Sequence, residues 1–193
     1  MNDKRGRLLV ISGPSGAGKT SICEELLRLI PGARWSVSVT TRPRRGAERD
    51  GEAYHYVSRE QFEQMIARGE LLEHAEYLGN LYGTPSGPVE EALAAGQTII
   101  LEIDVQGGAQ VARRLPESIR IFVLPPTRET LAARLAGRQT ESAELQRRRI
   151  EQADGEIAYA RNSGCYPYII TNDILEDSVK QVLDILAQET RTA

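Results

Sequence analysis

The chain has 193 residues, 40% hydrophobic and 26% charged, with a formal net charge of −3. That length suits one domain with a sizeable core. No apolar run approaches the ~20 residues that cross a bilayer, and the charged start "MNDKRGR" lacks the apolar stretch of a secretory signal, so a cytoplasmic protein with no membrane partner is expected. The negative balance argues against a nucleic-acid partner.

Taken in order, the first strand is "RLLVIS" (7–12), followed by a helix "KTSICEELLRLI" (19–30) that Pro31-Gly32 ends. Residues 35–83 break the pattern. They hold polar-alternating strand pieces ("WSVSVTT", "AYHYVS", "LLEHAEYLG") around one short helix, "REQFEQMIARGE", which reads as a small, mostly antiparallel insertion. The alternation of buried strand and helix then resumes. "PVEEALAAG" (88–96) is a helix stopped by Gly96, and "TIILEID" (98–104) and "IRIFVL" (119–124) are strands. "RETLAARLAG" (128–137) is a helix with Thr127 as N-cap. A polar segment spans 136–149, and a long helix (142–161) opens at Ser142. "YIITN" (168–172) and a final helix (176–189) close the chain. Continuous rather than alternating apolar strands are buried on both faces, as in parallel sheets. The fold class expected is therefore α/β, a doubly wound parallel sheet.

Between the first strand and helix, Gly13-Pro14-Ser15-Gly16-Ala17-Gly18-Lys19-Thr20 fits G-x-x-x-x-G-K-[ST] in its required strand–turn–helix context. Such a P-loop wraps phosphate oxygens with backbone N–H groups at a helix N-terminus. Lys19 would reach the β- and γ-phosphates of the donor, and the Thr20 hydroxyl would meet Mg²⁺. The motif identifies a phosphoryl donor site. It does not decide whether the phosphoryl passes to water or to a second molecule. "DVQG" (104–107) matches the short D-x-x-G pattern of GTPases, but the chain's three lysines, Lys4, Lys19 and Lys180, supply no N-K-x-D guanine reader. Arginine is clumped in "TTRPRRGAERD" and "LQRRRIEQ", and its fork suits bidentate phosphate contacts. Cys23 and Cys165 stand in no metal-ligand spacing, Cys23 reading as a buried helix residue, and His55 and His74 join no cysteine cluster.

The stretches 36–58, 71–85 ("LLEHAEYLGNLYGTP") and 100–107 ("ILEIDVQG"), together with the P-loop, "LAARLAGRQTES" and "ITND", resemble the guanylate kinase family over nearly the whole chain. The resemblance implies transfer of the γ-phosphoryl of ATP to GMP with Mg²⁺. It divides the chain into a core of 1–34 and 86–193, a GMP-binding insertion of 35–85 and a lid region of 126–149. It puts Ser38, Arg42, Arg45, Tyr54 and Tyr82 on the GMP phosphate and Glu73 and Thr84 on the guanine, whose N1–H and N2–H₂ donors suit a carboxylate. Asp104 is implied on a Mg²⁺-bound water, an acceptor-site arginine or the guanine edge, and Asn172 near the adenine of ATP. Arg134, Arg138 and Arg149 are implied as lid arginines that act in catalysis beside Lys19 and Arg42. Glu102 stands where Asp is expected, and Leu81 replaces an aromatic residue with a packing role only. The alternatives are a guanylate-kinase-like module that binds a phosphopeptide, and a P-loop kinase for another small phosphorylated acceptor such as a sugar. The oligomeric state is not readable from the chain.

Overall fold

The structure, a computed structural model, describes residues 6–136 and 143–192. Five strands form one parallel sheet: β1 (Arg7–Ser12), β2 (Arg34–Trp35), β7 (Thr98–Glu102), β8 (Ile119–Leu124) and β9 (Tyr168–Thr171), in the order β2-β7-β1-β8-β9. The continuous apolar run of β1 is explained by its two covered faces. Leu9 and Ile11 face one layer, formed by α1 (Lys19–Leu29) and α7 (Leu175–Thr192) through Ile22, Leu26, Val179 and Val182. Leu8 and Val10 face the other, where α3 (Ser86–Ala94) and α4 (Val105–Arg114) supply Val89, Leu93 and Val111. Each fully buried side chain of this size stabilises the fold by about 1.5–3 kcal/mol, so the two layers are what holds β1 at the centre. Its neighbours β7 and β8 lie on opposite sides, and the crevice at their carboxyl ends is where such sheets bind ligands.

A second sheet has the order β4-β3-β6-β5: β3 (Val39–Thr40), β4 (His55–Tyr56), β5 (Leu71–Tyr77) and β6 (Asn80–Pro85). It is antiparallel except for the β3–β4 pair. Helix α2 (Arg59–Ala67) covers one face through Phe62, packed on Val39, Leu71 and Leu81. A capping box of Ser58 and Gln61 starts that helix. Leu81 thus packs, as read from the sequence. The β5–β6 hairpin turns at Leu78 (φ 49°) and Gly79 (φ 77°), the two positive φ values that a type I′ turn requires.

Two sequence readings need correction, and one helix escapes the sequence reading. The run "WSVSVTT" is not one strand piece of the insertion. Trp35 pairs with Ile100 in the parallel sheet, and only Val39–Thr40 belongs to the second sheet. Helix α4 has no clear sequence signal, because Gly107 and Gly108 mask its pattern; its start is fixed instead by Asp104, whose Oδ1 accepts from the N–H groups of Gln106 and Gly107. The polar segment 136–149 is helical from residue 143, as the first turns of α6 (Ala143–Asn162), which packs on α5 (Arg128–Ala136) through Leu131, Leu135, Ile150 and Ala153. Thr127 caps α5 as expected, accepting from the Thr130 N–H at 3.1 Å. Residues 137–142, with Arg138 and the Ser142 start, lie outside the described residues.

Candidate active site

The P-loop leaves β1 at Gly13 and enters α1 at Lys19. Gly13 and Gly18 are required by geometry. Both have positive φ (147° and 88°), and a Cβ would overlap the Val123 carbonyl at the first and the Asn172 amide at the second. The Lys19 ammonium lies in the crook of its own loop and donates to the carbonyls of Gly13 (2.7 Å) and Pro14 (3.1 Å). The Thr20 hydroxyl donates to Glu102 Oε1 at 3.0 Å. Glu102 ends β7 one strand away from the loop, in register with Ile11.

Asn172 ties the P-loop to the last helix. It is buried, donates from Nδ2 to the Ala17 carbonyl at 2.8 Å, and accepts at Oδ1 from the Ser178 hydroxyl at 3.0 Å. One N–H of Nδ2 and one lone pair of Oδ1 thus fix the P-loop to the start of α7. Ser178, buried and unremarkable in the sequence, is the second half of that tether.

From α5, the Arg134 guanidinium reaches the Gly16 carbonyl at 3.3 Å. From α6, buried Arg149 reaches the Ser15 hydroxyl at 3.4 Å. Two of the three expected lid arginines thus converge on the phosphate loop. Glu156, further along α6, is buried and accepts from Gln152. Burial pushes its carboxyl up to about 7, opposed by the charge of Lys19.

The second sheet presents the other half of the site. Arg42 is buried, and its Nη2 donates to both oxygens of Glu48, at 2.8 and 3.0 Å, while Nη1 donates to the Pro43 carbonyl. Of five guanidinium N–H groups, this leaves Nε–H and one on Nη1 for an anion. Glu48 also accepts from the Tyr56 hydroxyl (2.6 Å) and the Arg45 N–H (2.9 Å). The hydrogen bonds from Arg42 first, and then from Tyr56 and Arg45, hold its carboxyl down at about 2. Sequence reasoning missed Glu48 and Tyr56; the signal was an acid set inside a run of arginines. The ring of Tyr54 lies edge-on to Tyr82 at 5.9 Å and under the Arg42 guanidinium at 5.4 Å. Ser38 is half-buried and immediately precedes β3, its carbonyl accepting from the His55 N–H, and the Arg45 side chain is exposed.

Glu73 faces Thr84 across the β5–β6 pair. The Thr84 hydroxyl donates to Glu73 Oε1 at 2.6 Å, and both side chains are buried. Burial pushes the Glu73 carboxyl up to about 7, the Thr84 bond acting against it and nearby Asp104 adding to it. A Cβ at Gly107 would overlap Glu73 Oε2, so the first turn of α4 is bare where the carboxylate lies over it.

A family model described as guanylate kinase matches residues 5–189. The guanylate kinase of Desulfitobacterium hafniense is 45% identical over 189 residues, covering 98% of this chain and 93% of the relative. That of Symbiobacterium thermophilum is 46% identical over 192 residues, covering 99% and 90%. The crystal structure of guanylate kinase from Anaplasma phagocytophilum superimposes with a TM-score of 0.78 at 33% identity, covering 96% of this chain and 87% of that one. The chain belongs to the guanylate kinase family. Within that family frame the candidate residues have separate supports: the P-loop, Arg134 and Arg149 rest on the parallel-sheet core and its helices, Glu73, Tyr82 and Thr84 on the second sheet, and Arg42 and Tyr54 on the segment between β3 and β4.

Among the described residues no group of three or more His, Cys, Asp or Glu side chains could hold a metal. The oxygen donors at the P-loop, the Thr20 hydroxyl and the Glu102 carboxylate, are hard ligands that fit Mg²⁺ carried mainly by nucleotide phosphates and water. No described helix is long and apolar enough to cross a membrane.

Proposed function

We propose that this protein is an ATP-dependent nucleoside monophosphate kinase that transfers the γ-phosphoryl group of ATP to GMP, giving ADP and GDP, in the cytoplasm where both nucleotides are found. The observation that carries the acceptor assignment is the buried Glu73–Thr84 pair on the sheet face that also bears Tyr82. A buried carboxylate beside a hydroxyl is a costly arrangement, and guanine, with two adjacent N–H donors on one edge, repays it with charge-assisted hydrogen bonds. A sugar phosphate has no such edge.

The roles follow from position. The P-loop backbone wraps the β-phosphate of ATP, and Lys19 leaves its two loop carbonyls for the β- and γ-oxygens. Thr20, with Glu102 behind it, would hold Mg²⁺, which would supply positive charge to neutralise the phosphates when bound. Asp104 commits Oδ1 to the cap of α4, so contact with a metal-bound water or the acceptor falls to Oδ2. The remaining N–H groups of Arg42, the Arg45 side chain and the Ser38, Tyr54 and Tyr82 hydroxyls take the GMP phosphate. Arg134 and Arg149, with Arg138 from the lid region, take the charge that spreads over the moving phosphoryl. No general base is required, since alignment and charge neutralisation carry the reaction. Movement of residues 35–85, and of α5 and the first turns of α6, toward the core would exclude water and suppress ATP hydrolysis.

The test is a coupled assay of ADP formation with GMP, AMP, CMP and UMP. GMP should be preferred over AMP by roughly 10³-fold or more in kcat/KM. Comparable rates with AMP would overturn the acceptor assignment.

A further inference from the structure

The strand that carries Glu73 is irregular at one place. Leu71 opposes Pro85 and Glu73 opposes Thr84, so β5 has one residue, Leu72, more than its partner between these pairs. The consequence is a change of face. Leu71 packs with Phe62 and Leu81 under α2. Two residues later, where a regular strand would return to that same face, Glu73 lies on the other side with Thr84. Leu72, the extra residue, plugs into the parallel-sheet core with Leu8, Val89, Leu101 and Val111. A bulge of this kind re-aims a side chain, and it needs something to hold it, because the ladder is interrupted there.

Helix α4 supplies the hold. Arg114 Nη1 donates to the carbonyls of both bulge residues, Leu71 at 2.5 Å and Leu72 at 2.8 Å. One turn earlier, Gln110 binds the residue just after Glu73 at both backbone groups: its Nε2 donates to the His74 carbonyl at 2.5 Å, and its Oε1 accepts from the His74 N–H at 3.2 Å. One turn earlier again is Gly107, bare under Glu73. Residues 107, 110 and 114 share one helix face, and together they grip β5 before, at and after the carboxylate. The positive charge of Arg114 also favours the ionised form of Glu73.

We infer that Arg114 and Gln110 are specificity-determining positioning residues: they fix the bulge in β5 and so aim Glu73 at the guanine edge. The inference rests on the reading of Glu73 as the base-reading group. Neither side chain is required to touch substrate. Their effect is on geometry, and a misplacement of about 1 Å at a hydrogen-bonding site costs up to roughly 10²-fold.

The experiment measures kcat and KM for GMP, AMP and ATP in Arg114→Met, Arg114→Lys, Gln110→Leu and Glu73→Gln, with thermal melting of each. Arg114→Met and Gln110→Leu should each raise KM for GMP by roughly 10-fold to 10²-fold, narrow the GMP/AMP ratio to match, and leave KM for ATP within about twofold. Arg114→Lys, which keeps a charged donor for the two carbonyls, should recover most of the loss. In the Glu73→Gln background Arg114→Met should not change the ratio further, because the group it aims is gone. A merely structural role would raise both KM values and leave the ratio alone. If Arg114→Met does not fold, Gln110→Leu carries the test. A collapsed ratio in Glu73→Gln beside an unchanged ratio in the folded helix variants would overturn this inference alone. An unchanged ratio in Glu73→Gln would overturn the base-reading assignment and the inference with it.

Discussion

Thr84 and Glu73 are joined by a 2.6 Å hydrogen bond in which the hydroxyl donates and the buried carboxylate accepts. Removing that donor leaves a buried oxygen short of a partner, which costs about 1–3 kcal/mol. Thr84→Val should lower stability by that amount and raise KM for GMP by roughly 10-fold, with kcat changed little. Urea unfolding and steady-state kinetics on the same preparation check both halves.

The pH dependence follows from Glu73. Its carboxyl titrates at about 7 in the fold, against an ordinary 4.5. The folded state therefore binds this proton more tightly than the unfolded chain does. The group stabilises the fold fully below pH 4.5, and that contribution is lost as pH rises through 7, by about 3 kcal/mol in all for the group considered alone. Binding runs the other way, since guanine needs the ionised form. Below about pH 7, KM for GMP should rise by up to about tenfold per unit. The GMP phosphate titrates at about 6 and adds its own slope, so Glu73→Gln serves as the control: its KM should lose the part of the slope that belongs to the carboxyl. Parallel profiles in the two proteins would refute the assignment.

Lys19 should matter more in the transition state than in the ground state. Lys19→Ala should fold normally and lose on the order of 10²–10⁴ in kcat. More than a tenth of wild-type turnover in the purified variant would remove it from that role.

Asn172 gives a prediction of a different kind. Asn172→Leu deletes the donor to the Ala17 carbonyl and the acceptor for Ser178. Stability should fall by about 1–3 kcal/mol, and KM for ATP should rise while KM for GMP holds, because the tether supports only the donor loop. A rise confined to GMP would contradict that placement.

Glu48 secures the acceptor arginine. Glu48→Gln loses the charge that pairs with Arg42 and weakens the bidentate grip. KM for GMP should rise, and the loss should extend to AMP in equal proportion, since both nucleotides present the same phosphate. A selective loss of GMP alone would place Glu48 in base reading instead.

How much of this is legible in the chain depends on whether the signal is local. The P-loop is eight consecutive residues in a fixed context, and the buried strands announce themselves by apolar runs that no surface strand tolerates. The acceptor residues emerge through the family resemblance, not through periodicity. What stays hidden is non-local. Leu72 looks like any strand leucine, and nothing in "LLEHAEY" says that one residue is extra. Helix α4 carries two glycines, which lower helix propensity. One of them is there because Glu73 Oε2 occupies the space a Cβ would take, a reason visible only once β5 and α4 are brought together. Asn172 stands out in the sequence, but its tether from Ala17 to Ser178 is visible only in the fold.

The place of β1 at the middle of the parallel sheet has a consequence for how the protein comes into being. Its ladder partners begin at Thr98 on one side and Ile119 on the other. At a synthesis rate of about 5–20 residues per second, the strand waits on the order of ten seconds before both neighbours have been made. During that time "LLVI" is an unpaired apolar edge, and the donor loop that follows it has no wall to lean on. Pairings this distant in the chain also fold slowly. The segment that will grip the nucleotide is thus made well before the elements that shelter it, so a nascent chain halted before residue 98 should be captured by binders of exposed apolar segments and released only once β7, β8 and the covering helix α7 have cleared the ribosome.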